Sequence, residues 1–292
     1  MTTKIRSKTA NKKIADILTY IVLIFFCLVI LVPFYIILVT SFKDNIDAVA
    51  IPFTWFPKQF NLEGYKQVLF NDASGGATGE STVLLGFVNT FKIAIPTTLI
   101  GLLTSSLAAY AFAKLKFKSK NLLFTILLFS MMIPGVVTLM PSYLIYDMLL
   151  LTDTFIPLML PGMFGSATCI FFLRQYYSSI PDDLIDAAKV DGMSYIGIFF
   201  KVMIPLSVSA LIAQGILWFV GLYNDYFGPL LYLWSPDKYT LQIALMFSVG
   251  LYNTDWAAVM GGCIIALLPM LLLYLFCQKY FIEGIATTGL KV

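Results

Sequence analysis

The sequence contains no histidine, which removes every catalytic dyad, triad or zinc site built on imidazole. Charged residues are scarce at 12% of 292, and the net charge is only +3, so nothing points to a nucleic-acid partner. The four cysteines, Cys27, Cys169, Cys263 and Cys277, fall within or at the ends of apolar runs and show no CxxC spacing. They read as lipid- or core-facing thiols rather than disulfides or metal ligands. A GxxxxGK[ST] motif is also missing, so the chain does not itself hydrolyse nucleotide. What is abundant is apolar surface: 59% of the residues are hydrophobic, far above the roughly 45–50% of soluble domains. An all-α integral membrane protein is the direct inference.

Six transmembrane helices can be placed along the chain. After a basic segment at residues 1–13 comes an apolar run at 14–40, too long for a signal peptide and without an A-x-A-like cleavage site. Residues 41–86 form a loop with prolines and a Ser74–Gly79 run of small residues, expected to be flexible. The second span is expected at 87–113, capped by Asn89 or Thr90, with Gly101, Ser105, Ala109 and Ala113 as a ladder for close helix packing. A third span starts near Asn121 and should be broken by Pro134 and Pro141. The fourth runs over 155–173, the fifth over 204–227 and the sixth over 256–277, leaving a tail at 278–292. With the N-terminus in the cytosol, 14 of the 19 Lys and Arg lie on the cytosolic side, which obeys the positive-inside rule. Both termini and the 178–203 loop are then cytosolic.

That loop carries four acids, Asp182, Asp183, Asp186 and Asp191, yet keeps helical spacing of its apolar residues. Pro181 suits a first helical turn, and Asp182 and Asp183 complement the positive end of the helix dipole. Leu184, Ile185 and Ala188 share one face. Gly192 should stop the helix by turning left-handed, and Ser194 should cap a second short helix leading to Pro205.

Asp186-Ala187-Ala188, then Gly192, Val202, Ile204 and Pro205 at fixed intervals, resembles the EAA loop of ABC-importer membrane subunits. The family pattern is Glu-Ala-Ala, three residues, Gly, nine residues, Ile, one residue, Leu-Pro. Asp186, Val202 and Ile204 are conservative departures from it. Further segments resemble carbohydrate-importer permeases of the maltose-transporter type. They include Asn61-Leu62-Glu63-Gly64-Tyr65, Phe172-Leu173-Arg174-Gln175, Asn224-Asp225-Tyr226 and the terminal Gln278 to Gly284, and together they cover nearly the whole chain.

The resemblance implies a type I ABC importer permease fold, with residues 14–277 as the permease domain. It implies a coupling helix in the 178–203 loop, with Asp186, Ala187, Ala188, Gly192, Pro205 and Arg174 as residues of the ATPase joint. Partners would be a second, different permease, two ATP-binding subunits holding ATP and Mg, and an extracytoplasmic sugar-binding protein, all in a prokaryotic cell membrane. No cofactor is expected in this chain. Tyr223, Asn224, Asp225 and Tyr226 are candidate pathway residues. Asp225 lies about 30 Å along a helix from Pro205, at the membrane boundary, where it either serves the pathway or simply caps the helix or meets water. The tyrosines there fit an aromatic belt as well as a sugar site. A permease for glycerol-phosphate, a polyamine or another solute carries the same loop. A secondary transporter would call for a repeat or a mid-span acid, and neither is seen.

Overall fold

The computed structural model describes residues 3–70, 81–247 and 254–289, and among them every regular element is helical. The Ser74–Gly79 run lies outside the described residues. The chain falls into two compact units, Met1–Asn71 with Ser248–Ile265, and Asp72–Phe247 with Ala266–Val292.

The first unit opens with α1 (Thr3–Thr40), which joins the basic N-terminal segment to the first apolar run in one helix. Within its apolar stretch, Ala15–Thr40, every residue from Ala15 to Phe34 is exposed, as suits a helix in hydrocarbon, and burial begins only in the last turns, at Val39 and Thr40. Two short helices follow, α2 (Asn45–Ala48) and α3 (Glu63–Phe70), the latter begun by Asn61, whose side-chain oxygen accepts from the Glu63 N–H.

The second unit is built around α4 (Thr82–Lys114), capped by the Ser81 hydroxyl, which accepts from the Leu84 N–H. The helix therefore starts five residues before the expected Phe87. Asn89 and Thr90 are not caps but buried mid-helix residues. Asn89 Nδ2 donates to the carbonyls of Asp237 and Tyr239, and the Thr90 hydroxyl accepts from the Leu241 N–H. The small-residue ladder does permit close approach: a Cβ on Gly101 would stand 2.4 Å from the Gly162 carbonyl oxygen. Ser105 accepts from the Ser166 N–H at 3.0 Å.

The helices α5 (Lys120–Met131) and α6 (Gly135–Met148) meet at 96° across Pro134. Pro141, expected to break this span too, lies inside α6 without ending it. The helices α7 (Ile156–Met163) and α8 (Ala167–Ser179) make one span of 24 residues, jointed at Gly165 with φ 103°. The expected fourth span thus runs six residues further, to Ser179.

Past α9 (Asp182–Val190) come α10 (Tyr195–Ile198), a π-helical turn at Phe199–Met203 and α11 (Ile204–Leu206), all continuous. The fifth span was expected to begin at Ile204. Instead the chain bends by 81° at Ser207 into α12 (Val208–Tyr223). Ser207 donates to the Met203 carbonyl at 2.6 Å, the type of back-bond that bends helices. Then follow α13 (Phe227–Tyr232), a 3₁₀ turn at Pro236–Lys238 and α14 (Leu241–Phe247). The last helix, α15 (Trp256–Gly289), continues through most of the expected tail. Among the described residues, four helical stretches are long and apolar enough to cross a membrane, and the two bent pairs raise the number to six if each is one span.

Candidate functional site

The 178–203 loop is fixed to the spans by lysines. Lys114, the last residue of α4, is almost wholly buried along its side chain. Its ammonium donates to the Ile180 carbonyl and to Asp182 Oδ1, each at 2.6 Å. The hydrogen bond from Lys114 and its positive charge hold the Asp182 carboxyl below the ordinary carboxylate range. Lys120 donates to the Ala113 and Leu115 carbonyls, closing the orphan acceptors at the end of α4.

Pro181 stands at the N-cap of α9, one place before the helical turn expected for it, with Asp182 and Asp183 in the first turn. The faces of α9 divide sharply. Ile185 and Ala188 are buried, while Asp183, Asp186, Ala187 and Val190 are exposed. Leu184, expected on the inner face, is exposed as well. Asp186 pairs with Lys189 at 2.8 Å, and its hydrogen bond raises the Lys189 ammonium above the ordinary value.

The helix ends in a Schellman motif. The Met193 N–H reaches the Ala188 carbonyl at 3.0 Å and the Gly192 N–H reaches Lys189 at 2.9 Å. Gly192 has φ 79° with nothing within 4 Å of a would-be Cβ, so backbone conformation alone selects glycine there. Ser194 then caps α10 by accepting from the Gly197 N–H at 3.1 Å.

The inner face of α9 belongs to a core shared with the spans. Ile185 and Ala188 join Tyr110 of α4, Leu173 and Tyr177 of α8, and Ile198, Phe199 and Met203 in one apolar cluster. The Tyr177 and Ser106 hydroxyls bond each other at 2.5 Å inside it. Arg174 serves the same junction: Nε donates to the Phe112 carbonyl at 3.3 Å, and the guanidinium lies 3.9 Å over the Phe124 ring. Those partners lie on α4 and α5, not on the exposed face of α9. Pro205, in α11, is exposed. Lys114, Lys120 and Tyr177 are functional residues that the sequence reading does not single out.

At the opposite end of α4 the pathway candidates separate. Tyr223 is buried, and its hydroxyl donates to the Ala266 carbonyl at 2.8 Å. Asn224 is exposed and donates to the Val220 carbonyl, while Tyr226 is half-buried. Asp225 accepts from the Gly228 N–H, starting α13. It also lines a small cavity with Thr90, Leu158 and Thr240, whose buried hydroxyl has no hydrogen-bond partner among the described residues.

Near these residues Asp153, at φ 54°, accepts from the Trp234 and Ser235 N–H groups, the Ser235 hydroxyl and Lys238. Burial opposes its charge, but the bonds from Lys238 and Ser235 outweigh burial and hold the carboxyl far below its ordinary range.

Residues 100–286 match the family described as binding-protein-dependent transport system inner membrane component. The arabinooligosaccharides transport system permease protein AraQ of Bacillus subtilis is 33% identical over 90% of this chain and 92% of its own. The sn-glycerol-3-phosphate transport system permease protein UgpE of Pectobacterium atrosepticum is 30% identical, covering 94% of this chain and 97% of its own. Among solved structures, a bacterial ABC transporter involved in the import of the acidic polysaccharide alginate superposes with a TM-score of 0.78 at 23% identity. That match covers 93% of this chain and 98% of the other, and it shows the fold, the all-α type I importer permease architecture expected from the sequence. With both the family match and these full-length relatives, the chain belongs to the family of membrane-spanning permease components of binding-protein-dependent ABC import systems.

Proposed function

We propose that the chain imports sugars or oligosaccharides by alternating access, driven by ATP that is bound and hydrolysed on partner subunits. The assembly comprises a second, different permease, two ATPase subunits carrying ATP and Mg, and an extracytoplasmic sugar-binding protein. The observation that carries the reading is the division of α9: Asp186 and Ala187 face outward while Ile185 and Ala188 are locked into the core of the spans. A partner pressing on the outer face would move α4, α8 and the π-helical turn with it. Ala187 is small enough for a partner backbone to come close, and Asp186 supplies a charge-assisted acceptor. The basic residues support a cytosolic position for this loop and for both termini, on the side where ATP is.

Sugar as the cargo is supported by the nearly charge-free spans and by the names of the arabinooligosaccharide and alginate systems. Asn224, Asp225 and Tyr226 are the residues we assign to meet the hydroxyls of a solute, on the strength of their polar groups beside the end of α12, whereas Tyr223 is buried with its hydroxyl on the Ala266 carbonyl. A glycerol-phosphate cargo is the second reading, favoured by the 30% identity to UgpE. Coupling is tested by purifying the complex with Gly192→Ala or Asp186→Ala. We expect assembly to persist while solute-loaded binding protein no longer stimulates ATP hydrolysis and uptake falls at least tenfold. Full coupling in both variants would remove the joint from this loop. ATPase stimulation by arabino-oligosaccharides, alginate oligomers and glycerol-3-phosphate, each with its binding protein, decides the cargo.

A further inference from the structure

The segment between α1 and α3 has its polarity inverted for a loop in water. Lys43 is 1% exposed, its ammonium donating to the Thr54 carbonyl at 2.6 Å and lying 3.8 Å over the Phe53 ring. Asp47 is buried too, accepting from the Thr54 hydroxyl and the Lys58 N–H. Its apolar residues stand bare instead: Ile51 is 97% exposed, Ile46 87%, Phe56 76% and Phe60 69%. Soluble loops place charges outside and seldom gather large bare side chains.

The depth of the segment is fixed by one bond. The Tyr35 hydroxyl donates to the Trp55 carbonyl at 2.7 Å, and the two rings stack with centroids 6.4 Å apart. Tyr35 lies five residues before the end of α1 at Thr40, about 7.5 Å back along the axis. The chain therefore doubles back along the flank of α1. The 26-residue apolar stretch of α1 reaches about 39 Å against a hydrocarbon core of about 30 Å. Tyr35 and Trp55 then stand where acyl chains meet headgroups, the depth at which Trp and Tyr concentrate. The bare residues continue the surface of a helix whose residues from Ala15 to Phe34 are all exposed. Beside them Lys58 keeps its side chain 70% exposed, able to meet a phosphate while also 3.5 Å from Asp47.

We propose that residues 46–60 form an interfacial lipid anchor, seated in the leaflet at the C-terminal end of α1 with phospholipid as its partner. Ile51 and Phe56 would enter the upper acyl region, and Lys58 would meet the headgroups. The anchor does not depend on which solute is carried. The test uses the full chain co-purified with its partner subunits, all made cysteine-free, in vesicles of phosphatidylethanolamine and phosphatidylglycerol. Spin labels are placed at Ile51→Cys, Phe56→Cys and, as the lipid-facing reference, Phe34→Cys. We expect labels at 51 and 56 to collide with oxygen and to be shielded from a water-soluble nickel chelate, as at 34. Free collision with the chelate would mean a hydrated loop, and protection from both would mean a protein interface; either result overturns the proposal. A second measurement needs no label: lipids brominated high on the acyl chain should quench tryptophan emission more in the native complex than in Trp55→Phe. Equal quenching would also overturn it.

Discussion

Lys114 shows how one side chain can set the position of a whole loop. Its stem is buried, and its ammonium closes the α8 carbonyl at Ile180 while holding the first acid of α9. Replacing it by Met keeps the volume but leaves the Ile180 carbonyl without its donor, a loss of about 1–3 kcal/mol. Amide exchange across residues 182–190 should then speed up by roughly fivefold to 150-fold. Asp182→Asn, which keeps the carbonyl bond, should change it far less. The pH dependence has a definite sign: the Asp182 carboxyl is lowered by folding, so its contribution is present above the ordinary carboxylate value and lost as pH falls through the folded one. Exchange in α9 should thus show no Asp182-linked change between pH 7 and 5. The sequence displayed Lys114 and Lys120 only as basic residues in a short run. Which lysines of such a run cap helix ends depends on where the ends lie, and that is decided by tertiary contacts. Arg174 is a similar case: the motif around it was legible, but its contacts with Phe112 and Phe124 were not.

Among the elements, α9 was the most legible, because acids in its first turn, Gly192 and Ser194 each act through the local backbone. Its faces were less so, since a three-residue apolar pattern on a nine-residue helix leaves the angle of burial open by one position. Hence Leu184 was placed inward although it is exposed. The two alanines give a direct check on the faces. Ala188→Leu forces three extra carbons into a filled core, a cost of about 1–3 kcal/mol, so the thermal transition of the complex should fall. Ala187→Leu adds the same carbons in the open, so the transition should hold while binding-protein stimulation of ATP hydrolysis drops. The reverse pattern would mean that α9 is rotated from the orientation described. The spans were visible as apolar runs, but their ends were not. Asn89 and Thr90 have cap chemistry, yet α4 passes straight through them because the 237–241 segment supplies their partners. Pro134 and Pro141 look alike in sequence, and only the first falls at a break between helices.

Across the second unit, α4 acts as a strut held at both ends. Asn89 grips the Asp237 and Tyr239 carbonyls near one end, and Lys114 grips the α8–α9 junction at the other. The 25 helical steps from Asn89 to Lys114 span about 37 Å of helix. The segment held by Asn89 is also the one gathered by Asp153 through Trp234, Ser235 and Lys238. Asp153→Ala leaves two N–H groups and a lysine without their acceptor, so amide exchange at 232–240 should rise while 182–190 stays unchanged. Lys114→Met should do the converse. Sites this far apart with no shared partner add within about 0.5 kcal/mol, so the double variant should lose the sum of the two single losses. A loss that departs from that sum by more than about 1 kcal/mol would mean that α4 carries strain from one end to the other even at rest. Additivity at rest, joined to non-additivity once ATP is bound to the complex, would place the coupling in the moving state alone, as a lever pressed through α9 requires.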